Sequence, residues 1–147
     1  MAAEDVTRRL RDAGLRVTAP RIAVLDVLVE HPHSTADAVA RLVRAQHRRV
    51  STQAVYDVLA VCTDAGLLRR IESVRSAALY ETRTGDNHHH LVCRRCARTT
   101  DVDRVTGSHP CLTPGDTAGY LVDEAEVVLW GHCPACQRIP PREKESP

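Results

Sequence analysis

Phenylalanine is missing from this chain of 147 residues, and aromatic side chains of any kind make up only 3% of it. A core must therefore be assembled from valine, leucine, isoleucine and alanine, and two small cores built that way would be thin. Chains short of core often depend on a metal or a partner subunit. Long apolar runs are also absent, so no transmembrane span is expected. The N-terminal stretch alternates charge too early for a signal peptide, and a cytoplasmic protein with reduced thiols is expected. Lysine is nearly absent. Of the 20 basic residues all but Lys144 are arginine, a bias with little functional content.

Net charge is only +1, which looks poor for a nucleic-acid binder, but its distribution is uneven. Residues 1–83 carry 13 arginines against 10 acidic residues, whereas residues 84–147 carry 7 basic against 9 acidic ones. The cationic surplus lies in the N-terminal part, where a DNA-facing half would need it. So small a surplus is common on solvated surfaces and only agrees with that assignment.

Hydrophobic periodicity divides the chain. Asp5 can cap a first short helix with Val6, Leu10 and Ala13 on one face and Gly14 closing it. Thr18 with Pro20 starts a second, whose Ile22, Leu25, Leu28 and Val29 recur at helical spacing until His31-Pro32. Ser34 and Asp37 resemble a capping box ahead of Val39, Leu42 and Val43. Ser51 opens a further helix with the stripe Val55, Val58, Leu59 and Cys62, ending at Gly66. Beyond it, 67–72 and 78–82 read as two strands around a turn at Ser73–Ser76. Helix-turn-helix followed by a hairpin is a winged-helix layout. In the second half 88–93, 99–105 and 126–131 are candidate strands, 108–119 holds at most a short helix, and residues from Gln137 onward look frayed. The expected fold class is α+β: a winged-helix DNA-binding domain over 1–83, an α/β domain over 84–137, and a flexible tail over 138–147.

Cys93-x-x-Cys96 and Cys133-x-x-Cys136 form two knuckles separated by 36 residues. Zinc takes four soft ligands in a tetrahedron, and each knuckle offers two thiolates from one turn. Two redox pairs, or four idle thiols, are the alternatives, but two such pairs in one chain favour structural zinc. Cys62 lies on an apolar stripe and is expected in the core; Cys111 is unassigned. His88 and His90, if extended, project to one face and His89 to the other. Two imidazoles make half of a nitrogen/oxygen metal site that iron, manganese or zinc accepts. His33, Glu81 and Asp101 are candidates to complete it. No His-Glu-x-x-His motif is present to support a zinc hydrolase with a base such as Glu81, and a zinc ribbon serving only protein interaction is the blander alternative. No enzymatic activity and no small organic substrate are expected.

Taken together, Gly14-Leu-Arg-Val-Thr-x-Pro-Arg21, Ser51-x-Gln-Ala-Val-Tyr56, His88-x-His90-x-x-Cys93-x-x-Cys96 and Trp130-Gly-His-Cys-x-x-Cys136 resemble the ferric uptake regulator (Fur) family of bacterial metal-dependent repressors. Residues 53–59, 85–90 and 123–127 are similar to its actinobacterial FurA/CatR branch of peroxide-responsive repressors. The resemblance implies a homodimer on palindromic operator DNA, with a C-terminal dimerisation domain and control of catalase-peroxidase genes and of its own gene. It implies structural Zn2+ on Cys93, Cys96, Cys133 and Cys136. A regulatory Fe2+ or Mn2+ (Zn2+ in vitro) would be held by His33, Glu81, His88 and His90, with Asp101 as an extra carboxylate. It places Ser51, Thr52, Gln53 and Tyr56 at the major groove and Arg16 and Arg21 near the backbone or minor groove. An iron- or zinc-uptake repressor of the same family is the alternative. Asp57 departs from the arginine usual there. Ala125 replaces the histidine of a third site, which would then be missing or rebuilt from Asp123, Glu124 or Glu126.

Overall fold

Hydroxyl side chains mark three of the helix starts in the computed structural model, which describes residues 3–72, 77–86, 88–103, 115–122 and 126–140. The turn expected at Ser73–Ser76, most of the 108–119 stretch, Cys111, Asp123–Ala125 and the end of the tail lie outside them. The chain divides into two compact units, Met1–Asp86 and Asn87–Pro147.

The first unit begins with α1 (Ala3–Asp12). Asp5 is not its cap. It sits in the first turn, where its charge faces the positive end of the helix dipole, and it pairs with Arg8 at 2.5 Å. Gly14 then turns the chain with φ 72°. Thr18 caps α2 (Ala19–Glu30) by accepting from the Arg21 amide, and Pro20 costs nothing in the first turn because its missing N–H would have been unpaired there. Leu25 and Leu28 of the expected stripe are buried, joined by Ala23, Val24 and Val27, while Ile22 and Val29 are only partly so. Apolar residues surround most of the helix, so it runs through the core and its periodicity says little about which side is inward.

His31-Pro32 ends α2, and after His33 the chain forms a short strand, β1 (Ser34–Thr35). The capping box expected from Ser34 is displaced by one residue. Thr35 caps α3 (Ala36–Gln46) by accepting from the Ala38 amide at 3.2 Å, and the Ser34 hydroxyl donates to the His31 carbonyl at 2.7 Å. Ser51 caps α4 (Thr52–Asp64) as expected, and Val55, Val58, Leu59 and Cys62 are buried on it. Burial pushes the Cys62 thiol up, in keeping with an inert core residue. β2 (Arg69–Ile71) and β3 (Leu79–Glu81) pair antiparallel, and β1 joins on the other side of β3. One continuous cluster from Val6 to Leu68 fills this unit, all of it aliphatic apart from Cys62.

In the second unit β4 (His89–Cys93) is the middle strand. It pairs antiparallel with β5 (Thr99–Val102) and parallel with β6 (Val128–Gly131). β6 is shorter than the stretch expected at 126–131, and β5 covers the first four residues of the one expected at 99–105, of which 104–105 lie outside the described residues. Pro134–Gln137 form a single helical turn, α5, where only a tight turn was expected. Among the described residues the only buried apolar side chains here are Cys93 and Cys136. No helix among the described residues is long and apolar enough to cross a membrane.

Candidate metal centre

In-register parallel pairing brings the two knuckles to one end of the second sheet. Cys93 closes β4 opposite Gly131 of β6, and Cys133 follows two residues later as the N-cap of α5. The sulfur atoms of Cys93, Cys96, Cys133 and Cys136 all lie within 4.8 Å of one another, and none is in a disulfide. Four sulfurs about 2.3 Å from a tetrahedral zinc ion stand roughly 3.8 Å apart. The Cys96–Cys133 separation of 3.7 Å matches that spacing.

The thiols are held unequally. The backbone amides of Cys133 (3.3 Å from the Cys93 sulfur) and Cys96 hold the Cys93 thiol down at about 5. The Cys136 amide lowers Cys133, whereas Cys136 is pushed up to about 12 by its hydrogen bond to Cys133 and by burial. Four adjacent thiolates cannot coexist without a cation between them, and the donor set suits zinc.

The other face-sharing groups of this unit are oxygen and nitrogen donors. His90 stands directly across from Asp101 in the β4–β5 register. His88, two residues earlier, shares that face. The Nε2 atoms of His88 and His90 lie 3.6 and 3.5 Å from Asp101 Oδ1, and their rings meet edge-on at 4.8 Å. These distances exceed a hydrogen bond. They are close to the roughly 3.0–3.5 Å between ligand atoms around one ion with bonds of about 2.1 Å. His89 points to the opposite face; it is buried, and its Nδ1 finds no hydrogen-bond partner among the described residues. Glu126, named from sequence only as a possible member of a third site, places Oε1 2.9 Å from His90 Nδ1.

His33 and Glu81 meet within the first unit. Extending the β1–β3 register one step beyond Ser34 and Tyr80 sets His33 opposite Glu81, and their Nε2 and Oε2 atoms are 3.0 Å apart. His33 adopts φ 59°, a left-handed conformation that is uncommon for a side chain with a Cβ.

The proposed DNA contacts also lie in the first unit. Gln53 is exposed on the first turn of α4 and donates to Asp57 at 2.9 Å. The Ser51 hydroxyl is occupied by capping, and Thr52 Oγ1 accepts from Arg44 at 3.4 Å. Tyr56 donates its hydroxyl to Asp37, a bond that raises the phenol above the usual tyrosine value. Asp37, Arg41, Arg44, Thr52 and Tyr56 border a groove of about 290 Å³ between α3 and α4. In the sequence Asp37 reads only as part of a cap, and no local signal links it to Tyr56. Arg16 is exposed, and Arg21 donates back to its carbonyl at 2.7 Å.

Comparison with known proteins agrees with this architecture. Residues 12–106 match the Ferric uptake regulator family. The chain is 52% identical to Transcriptional regulator FurA of Mycobacterium tuberculosis over 132 residues, 90% of either chain. It is 55% identical to Ferric uptake regulation protein 1 of Mycolicibacterium fortuitum over 126 residues, 86% of this chain and 78% of that one. The solved ferric uptake regulator of Vibrio cholerae superposes with a TM-score of 0.64 at 25% identity, covering 86% of this chain and 98% of the other. With a thiolate cluster, a helix-turn-helix and that degree of shared sequence, the chain belongs to the ferric uptake regulator family, in its actinobacterial FurA branch, and is a metal-responsive transcriptional regulator rather than an enzyme.

Proposed function

We propose that this protein is a cytoplasmic repressor that binds palindromic operator DNA as a homodimer, holds structural zinc on its four knuckle cysteines, and is switched by a second, exchangeable ion. The observation that carries the proposal is the meeting of His88, His90 and Asp101 as a nitrogen/oxygen set distinct from the four thiols. His33 and Glu81 are assigned as its remaining ligands. A site drawing ligands from both units is completed only in one arrangement of them, so occupancy would shift the dimer toward the form that binds DNA. Moving such an equilibrium from one extreme to the other takes a differential affinity of about 5.5 kcal/mol.

Residues 1–83 are the DNA-binding part, 84–137 the dimerisation part, and 138–147 the tail. Exposed Tyr120, Leu121 and Val122, with Leu91 and Leu129 on the second sheet, supply apolar surface for a second copy. Gln53 and Tyr56 are assigned to base edges, with Arg16 and Arg21 to the phosphate backbone or minor groove. Ser51 and Thr52 shape the start of the inserted helix.

The regulatory ion is assigned as Fe2+ or Mn2+, with Zn2+ able to substitute in vitro. Iron in a nitrogen/oxygen shell supplies reactivity toward peroxide, which supports control of catalase-peroxidase genes and of the protein's own gene. An iron- or zinc-uptake repressor is the second reading. DNA binding by zinc-replete protein loaded with Fe2+, Mn2+ or added Zn2+, before and after peroxide, separates them. Peroxide sensing predicts loss of binding by the iron form and retention by the manganese form. Equal retention by both would refute peroxide sensing.

A further inference from the structure

We infer that Glu126 is a positioning residue for His90: its carboxylate accepts the Nδ1–H of the ring and so leaves the Nε2 lone pair for the regulatory ion. The inference rests on the assignment of His90 as a ligand and goes one step beyond it, to what aims the ligand.

The register explains why Glu126 is available. β6 runs parallel to β4 with Val128 beside His90, and the His90 amide donates to the Val127 carbonyl at 3.4 Å. Glu126, two residues before Val128, therefore falls on the face that carries His88 and His90. Its Oε1 is 2.9 Å from His90 Nδ1, while the opposite nitrogen, Nε2, stands 3.5 Å from Asp101. The ring is thus bracketed: one nitrogen is at hydrogen-bond distance from a carboxylate, and the other is aimed at the convergence of Asp101 and His88 Nε2. A neutral imidazole has one N–H and one lone pair. A carboxylate that accepts the N–H fixes which nitrogen can ligate, holds the ring orientation and raises its basicity. Glu126 side-chain exposure is 34%, against 1% for His90, so it can be changed with little disturbance of packing.

The placement also ties the two metal sites together. β4 carries His90 near its start and Cys93 at its end, and β6 runs from the Glu126 side toward Cys133. Zinc on the four cysteines would clamp the two strands at one end, and the His90–Glu126 bond closes the other.

The test uses the full chain with zinc retained. Long-range proton–nitrogen NMR spectra without added metal read the His90 tautomer directly. The Nδ1–H form is expected in wild type and in E126Q, whose amide oxygen can still accept, and a mixture in E126A. Competition titrations with Mn2+ and Co2+ should show E126A about 10- to 100-fold weaker and E126Q within a few-fold of wild type. An Nε2–H tautomer in wild type, unchanged affinity in E126A, or an E126Q loss as large as that of E126A would each overturn the inference. H90A separates the two levels. If it binds metal as wild type does, the ligand assignment falls and Glu126 with it. If H90A loses binding while E126A keeps it, only the role of Glu126 falls.

Discussion

Removing zinc should unfold the second unit and spare the first. Seventeen buried residues form the continuous core of the first unit, whereas the described part of the second buries only two apolar side chains, Cys93 and Cys136, both knuckle residues. Fully burying one aliphatic side chain is worth about 1.5–3 kcal/mol, and the second unit has no such residue among those described. Structural zinc contributes on the order of 10–16 kcal/mol, comparable to the whole stability of an ordinary domain at about 5–15 kcal/mol. Its loss therefore leaves the second sheet without sufficient support. The chain carries its own reporter, because its one tryptophan is Trp130 on β6, beneath the Arg94 guanidinium 5.5 Å from the ring centre. Among the described residues, the four long helices all belong to the first unit. Chelation of zinc, or Cys136→Ser, should shift Trp130 emission to the red while most of the far-ultraviolet helical signal remains. Heating should then show a single surviving transition. Unchanged emission from protein proven free of zinc would refute the idea that the cysteines hold this unit together.

Other consequences are more local. Leu28→Ala empties a fully buried position of α2 and should cost about 2–5 kcal/mol in urea unfolding followed by helical signal; a loss well under that range would contradict the central place of α2. Thr35→Ala removes the cap of α3 and should cost about 1 kcal/mol in the same assay, and a midpoint equal to wild type would show that the cap lies elsewhere. Asp37→Ala should lower the Tyr56 phenol toward the ordinary value of 10.0, since the carboxylate that accepts its proton disfavours the phenolate; absorbance titration at alkaline pH checks this, and no change would remove Asp37 as the cause.

Much of this was legible in the residues, and what was not has physical reasons. The knuckles could be read because two such pairs supply the four soft donors of a closed tetrahedral metal site. The caps at Thr18 and Ser51 could be read because a hydroxyl before an apolar period has few other uses. Thr35 was passed over for Ser34, since adjacent hydroxyls offer the same chemistry and only the β1–β3 pairing decides which faces the helix. Of the stripe read on α2, Leu25 and Leu28 are buried and Ile22 packs against the core, but Ala23, Val24 and Val27 were not included because apolar residues surround most of the helix. Glu126 and Asp37 act across pairings between distant segments, 36 and 19 residues away from their partners, and no local pattern announces such contacts. The parallel β4–β6 pairing is of the same kind: spacing showed two knuckles but not that the strands leading to them run side by side.

If an exchangeable ion, separate from the structural zinc, controls DNA binding, then loading and removing that ion should move the affinity for DNA. The most direct test is fluorescence anisotropy on a duplex selected by the metal-loaded protein, using protein shown to retain one zinc per chain, with and without Mn2+. Tight binding is expected only with Mn2+, and His90→Ala should abolish it while the zinc content stays the same. Equal affinity for the duplex with and without the exchangeable ion would contradict control by that ion.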